Sequence, residues 1–199
     1  MEDILKYFSK NGGFARMRDL KEASFHTRTI AQYLKDGKIE KVKPGLYRLA
    51  EPRSKKNENV SFADVCNAVP KGIICLTSAL AHYELTTFNP SEVFVAIPLA
   101  EKPHKILFPP TKFFFFSERF YSIGIERIRT SMGEVRVYCK EKTICDMFRY
   151  RNKLGEDIAV EALKNYLKSK NKNLKLLQEY AMKCQVKTVM LPYLRALVG

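Results

Sequence analysis

The apolar positions of the chain fall into two periodic regions separated by one gap. Glu51 to Asn59 reads EPRSKKNEN, nine residues without an apolar side chain. It is the only such interval between two periodic regions, so the domain boundary is placed there: a first domain at 1–50, a linker at 51–59 and a second domain at 60–199. Before the gap the pattern is helical. Ile4, Leu5 and Phe8 share one helical face, which Gly12-Gly13 stops. A second short helix holds Met17 and Leu20. After a break at Ser24-Phe25-His26, a third runs from about Thr27 to Asp36 and is closed by Gly37. Lys38–Lys43, Pro44-Gly45 and Leu46–Leu49 then predict a two-stranded hairpin, with Pro and Gly at the two central turn positions.

Beyond the gap, strand-like runs occur at Gly72–Cys75, Val93–Pro98, Lys112–Phe116 and Glu134–Cys139, with helical patterns between them. From Glu141 onward the pattern is almost wholly helical. One stripe holds Ile158, Ala159, Ala162, Leu163, Tyr166 and Leu167, and another holds Leu174, Leu177, Tyr180, Ala181 and Cys184. The fold class is therefore α+β: an N-terminal winged helix-turn-helix, then a larger mixed sheet-and-helix domain ending in a helical layer. Phe113–Phe116 is expected to be a buried strand covered on both faces, because four consecutive aromatics in water are an aggregation hazard.

Helices joined by a tight break and followed by a hairpin give the winged helix-turn-helix order. At about 100° per residue, Thr27, Ile30, Ala31 and Leu34 of the third helix fall on one arc that packs inward. Arg28, Thr29, Gln32 and Tyr33 fall on or near the opposite side. They combine a guanidinium, an amide, a hydroxyl and a phenol, groups that meet base edges or phosphates; Arg pairs with guanine and Gln with adenine. Lys35 lies at the flank, toward a phosphate. Any solvent-facing helix side is polar, and context is what raises this one: Asp36 is its only acidic member, and a basic hairpin follows. Lys41, Lys43 and Arg48 are the expected backbone contacts of the wing. His26 either reaches a phosphate or is a turn histidine without a role. Thr27 is a candidate N-cap. Arg16 and Arg18 either clamp phosphates or are solvated charges.

Charge agrees with an anionic partner but does not assign it to one domain. The formal net charge is +14, of which residues 1–59 carry +6 and residues 60–199 carry +8. The five cysteines (66, 75, 139, 145 and 184) form no C-x-x-C, and their odd number and apolar surroundings fit reduced buried thiols. Glu2, Asp3 and Lys6 make the first twenty residues unlike a signal peptide, and no apolar stretch reaches the length of a membrane span. A cytoplasmic protein without membrane association is expected.

Three strings resemble a known family. GGFARMRDLKEASFHTRTIAQYLKDGKIEKVKPGLYRLA is similar to the leading winged-helix domain of the AbiEi antitoxins of type IV abortive-infection toxin–antitoxin systems, most specifically from Gly37 to Arg48. KGIICLTSALAHYELT (Lys71–Thr86) and EKTICDMFRYRNKLGEDIAVEALKNYL (Glu141–Leu167) resemble later parts of the same proteins. The resemblance implies a phage-defence regulator that represses its own operon by binding inverted repeats in double-stranded promoter DNA. It also implies a second domain that counteracts a nucleotidyltransferase-like toxin without a stable complex.

Signs of catalysis are few. There is no phosphate-binding G-x-x-x-x-G-K-[ST], no H-E-x-x-H and no G-x-S-x-G, and no carboxylate pair stands at metal-binding spacing in a strand. The histidines at 26, 82 and 104 are dispersed, and His82 reads as a structural residue of a helix. No cofactor, no metal and no enzymatic activity are expected. The strongest polar cluster of the second domain is Lys142, Asp146, Arg149, Arg151 and Lys153. Asp146 and Arg149 either pair across the surface at one helical turn, or Asp146 holds Arg149 while Arg151 and Lys153 face a phosphate. This is the candidate antitoxicity surface. The alternatives are a nucleic-acid-processing enzyme guided by the winged helix, and a module that binds the toxin directly. Without a heptad seam the chain is expected to be monomeric in solution.

Overall fold

The computed structural model describes residues 3–50, 58–103, 105–130 and 132–198. The first unit runs α1 (Ile4–Lys10), β1 (Phe14–Arg16), α2 (Met17–Glu22), α3 (Thr27–Lys35), β2 (Ile39–Lys43) and β3 (Leu46–Leu49). The Asp3 carboxylate caps α1 by accepting from Leu5 N. The chain then turns through Gly12 and Gly13, whose φ of 66° and 82° suit only glycine at low cost. β1 leaves no periodic trace in the sequence. Three residues are too few to show a period, yet Phe14–Arg16 pairs antiparallel with β3 to give the order β1-β3-β2. The β2–β3 turn is Pro44-Gly45 as expected, with Gly45 at φ 77°.

One face of this sheet (Ala15, Ile39, Tyr47) packs with Ile4, Phe8, Leu20, Phe25 and Ile30 of the helical side. Its other face (Phe14, Val42, Leu46) joins the core of the second unit. The small sheet is thus covered on both sides.

The element that covers it is α4 (Glu58–Ala68). Most of the expected linker, residues 51–57, lies outside the described residues, but Glu58 and Asn59 already belong to α4. Phe62, Ala63, Asp64, Val65, Cys66 and Ala68 are all buried, so from Ser61 onward the described side chains of this helix leave no solvent stripe. It lies between the small sheet and a five-stranded one. Arg136 closes its C-terminal end, donating to the carbonyls of Cys66 (2.7 Å) and Val69 (3.0 Å), which have no helical partner.

The larger sheet contains β4 (Ile73–Ile74), β5 (Val93–Pro98), β6 (Thr111–Phe116), β7 (Ile125–Thr130) and β8 (Gly133–Tyr138), in the order β6-β5-β4-β8-β7. It is mixed: β5–β6 and β4–β8 are parallel, while β4–β5 and β7–β8 are antiparallel. β7 was not expected. As an edge strand reading IERIRT it shows charges where a central strand would be apolar. The other face of the sheet packs on α5 (Leu76–His82), α6 (Glu118–Tyr121), α7 (Lys140–Leu154), α8 (Glu156–Lys168), α9 (Leu174–Lys183) and α10 (Lys187–Val198).

The phenylalanine run corrects the expectation of burial on both faces. β6 is an edge strand, so only its inner face is sealed. Phe114 and Phe116 are buried among helices α5 to α10, Phe113 is half-buried, and Phe115 is 42% exposed. Phe113 packs partly on the core that α4 shares, while Phe115, two residues along the same face, is open to solvent.

Candidate nucleic-acid interface

α3 is held in place by its apolar side. Ile30 is buried, and Leu34 and Tyr33 pack partly onto the same core. Burying a side chain the size of Ile30 contributes about 1.5–3 kcal/mol, enough to fix the rotation of a helix this short. That rotation differs slightly from the sequence wheel. Thr27 and Ala31, expected inside, are exposed, whereas Tyr33, expected outside, is half-buried. The inward arc is therefore centred near Ile30, and Arg28, Gln32 and Lys35, spaced i, i+4 and i+7, become the outermost stripe. Lys35 belongs to that stripe as its last member rather than flanking it.

The helix starts at Thr27 with His26 at the N-cap position and no side-chain cap bond, so Thr27 is not the N-cap. His26, Thr27, Arg28, Thr29, Gln32 and Tyr33 line one open groove of about 570 Å³. Gln32 Nε2 donates to Asp36 Oδ1 at 2.8 Å, which orients the amide along the helix, and Lys38 Nζ lies 5.2 Å over the Tyr33 ring. Ala31 adds an exposed methyl to this face, of a kind that meets a thymine methyl. An inward assignment on the wheel had hidden it.

The flanking arginines separate. Arg16 is exposed at the end of β1. Arg18 is exposed too, but its guanidinium stands 3.4 Å from Asp19 and 3.6 Å from Glu22, the arrangement of a solvated surface charge.

The wing divides more sharply. Lys41 remains exposed on β2. Arg48, expected to meet a phosphate, is only 1% exposed. It donates from Nη2 to Glu40 at 2.5 Å and from Nη1 to Asp64 of α4 at 2.7 Å. Lys43 donates to the Ala68 carbonyl at 2.6 Å, and burial, with the Arg16 charge nearby, holds its ammonium below the usual lysine range. Two of the three basic wing residues therefore face the second unit instead of solvent. The turn is tied down as well, since Met17 N donates to Gly45 O at 2.9 Å, and Leu107 N donates to Val42 O of the edge strand at 2.9 Å. Basic composition revealed the wing's charge but not which way its sheet faced.

The α7 cluster is also redistributed. Lys142 and Asp146 form an ion pair with both side chains fully buried. Lys142 Nζ sits 4.4 Å over the Tyr138 ring and 5.1 Å over Phe116. Arg149, mostly buried, lies 3.6 Å from Asp146 and 3.9 Å over the Phe120 ring. Burial pushes the Asp146 carboxyl up against the opposing pull of Lys142 and Arg149. Asp146–Arg149 is therefore no surface pair. Arg151 turns to the Phe148 carbonyl at 2.8 Å, and Lys153 alone is exposed. The five residues share a helix without sharing a surface.

His82 packs edge-on against Phe62 and Tyr83, as a structural histidine does, while His104 lies outside the described residues. All five cysteines are free and buried. Among the described residues no group of His, Cys, Asp and Glu is arranged to hold a metal, and no helix is long and apolar enough to cross a membrane.

Comparison with known families agrees with the first unit. Residues 2–50 match the family described as transcriptional regulator, AbiEi antitoxin. No curated protein matches the chain.

Proposed function

We propose, from an N-terminal unit that matches the family of AbiEi antitoxin transcriptional regulators, that this chain represses its own operon by setting α3 into the major groove of inverted repeats in the promoter. The observation that carries this reading is the outward stripe of Arg28, Gln32 and Lys35, flanked by Thr29 and Ala31, on a helix whose other side is locked into the core. Arg28 reads guanine, Gln32 reads adenine, and Lys35, Lys41 and Arg16 meet phosphates. Half-sites one helical turn apart suit a monomer bound at each repeat. The second unit counteracts a nucleotidyltransferase-like toxin without a stable complex, as a type IV system does in phage defence. The protein acts by binding, without catalysis, and works in the reducing cytoplasm, which its five free thiols suit.

The test is a gel shift with the protein's own upstream DNA across a salt series. Specific binding that weakens steeply with salt supports the reading; equal affinity for a random duplex of the same length overturns it. Co-expression with the product of the neighbouring gene examines the toxin arm. Rescue of growth without co-elution of the two proteins is the expected result, and a stable 1:1 complex through size exclusion would replace it with direct toxin binding.

A further inference from the structure

Helices α8, α9 and α10 leave an open groove of about 570 Å³ between them. Its floor is Leu177, fully buried, with Leu167 and Leu194 half-buried beside it. Its lips are Leu174 and Leu191, 42% and 38% exposed. Arg195 and Gln178 supply the polar part of the lining. Open leucines on the lips of a groove lose free energy to water that a partner would recover, at about 25 cal/mol per Å² covered.

Charge decides what that partner is. Arg195 is the one charged residue of the lining; Lys175 follows Leu174 on α9, and Lys187 stands one turn before Leu191 on α10. The stretch that holds these helices, from Lys164 to Arg195, carries eight basic side chains against Glu179 alone. Glu179 is already paired with Lys183 at 2.6 Å, and among the described residues the other seven cations of this stretch carry no ion pair. A second copy would bring an equally positive rim against this one, so like charges oppose a symmetric dimer through this face. A nucleic-acid duplex would satisfy the lysines but lay phosphates over the leucines. An amphipathic helix with an apolar stripe and acidic flanks satisfies both features, its stripe covering Leu174 and Leu191 and the open parts of Leu167 and Leu194 while its carboxylates meet Lys175, Lys187 and Arg195.

We propose that this groove docks an acidic amphipathic helix of a partner protein. The site lies on the C-terminal helical layer and does not depend on DNA recognition by α3.

The experiment is fluorescence anisotropy of full-length protein with a labelled acidic peptide of about four helical turns, carrying Leu at i, i+3, i+4 and i+7. Expected are saturable binding, weakening with salt, and a loss of about tenfold or more in Leu191→Asp, in Leu174→Asp and in Arg195→Glu. The melting temperature of each variant is measured alongside, Arg195→Glu removes no leucine packing, and all three should keep their binding to operator DNA, which separates failure here from failure of the repressor reading. A scrambled peptide of the same composition that binds equally well overturns the proposal, as does absence of binding. Loss of duplex binding in Leu191→Asp would assign the groove to nucleic acid. A dimer seen by sedimentation and dissolved by the same substitution would assign it to a second copy.

Discussion

Arg48 of the hairpin and Asp64 of α4 meet at 2.7 Å with both side chains withdrawn from water. The contact joins a strand of the first unit to the first helix of the second, and Glu40 completes the guanidinium's surroundings. A buried pair of this kind contributes little against an apolar replacement but costs a great deal when broken on one side. Arg48→Ala should therefore destabilise by about 3–5 kcal/mol, and Arg48→Met combined with Asp64→Leu should recover much of that loss. Urea unfolding followed by circular dichroism reads both; equal destabilisation in the single and the double variant would show the pair to be incidental.

DNA recognition should divide along the same line. Arg28→Ala or Gln32→Ala should reduce discrimination between operator and random duplex by about 1–3 kcal/mol, while Lys41→Ala should weaken every sequence alike and lower the salt slope by about 1. Lys43→Met should leave the salt slope unchanged, because its ammonium is spent on the Ala68 carbonyl. A slope that falls with Lys43→Met would mean the hairpin lifts away from α4 when DNA binds.

The phenylalanine run offers a contrast between neighbours. Phe116→Ala removes a ring stacked on Tyr138 and Tyr150 and should cost about 3–5 kcal/mol. Phe115→Lys, on the open side of the same edge strand, should change stability by about 0.5 kcal/mol or less and improve solubility. Thermal melts and light scattering test the two, and similar losses would place Phe115 inside an interface.

Asp146 is expected to matter for folding and not for chemistry. Asp146→Ala leaves the Lys142 ammonium buried without a counter-charge, so unfolding at lower denaturant is expected, by about 3–5 kcal/mol. If Asp146→Ala instead keeps full stability while toxin counteraction disappears, the cluster acts directly on the toxin system.

The thiols should be silent in the folded protein. Burial raises Cys66 and Cys75 and pushes Cys139 up to about 11, while a hydrogen bond with the Cys145 thiol lowers Cys184, which is nonetheless buried away from reagents. Ellman's reagent should react slowly with native protein and release five equivalents after denaturation. Rapid native labelling would indicate local opening.

Much of this architecture was legible in the sequence because it rests on local periodicity. The three helices of the first unit, the Pro44-Gly45 turn, β5 and the α8 and α9 stripes follow from spacing alone. What was not legible depends on partners distant in the chain. β1 is a strand only because β3 lies beside it, and β7 only because β8 does. Arg48 and Lys43 read as wing cations until α4 is seen against their sheet. Tyr33 and Ala31 changed sides because a wheel places angles, whereas packing of Ile30 and Leu34 chooses which angle points inward.

The small sheet, covered on both faces, also bears on portability. A reading domain whose sheet ends in solvent can be cut out and grafted onto another scaffold. Here such a graft would carry Phe14, Val42 and Leu46 into water along with an Arg48 deprived of Asp64. If α3 reads DNA as proposed, changing its target is better done by exchanging the outer positions of the helix in place, leaving the shared wall untouched. Relatives that diversify their operators under the same constraint would vary at positions 28, 29, 31, 32 and 35 while the hairpin and α4 change together.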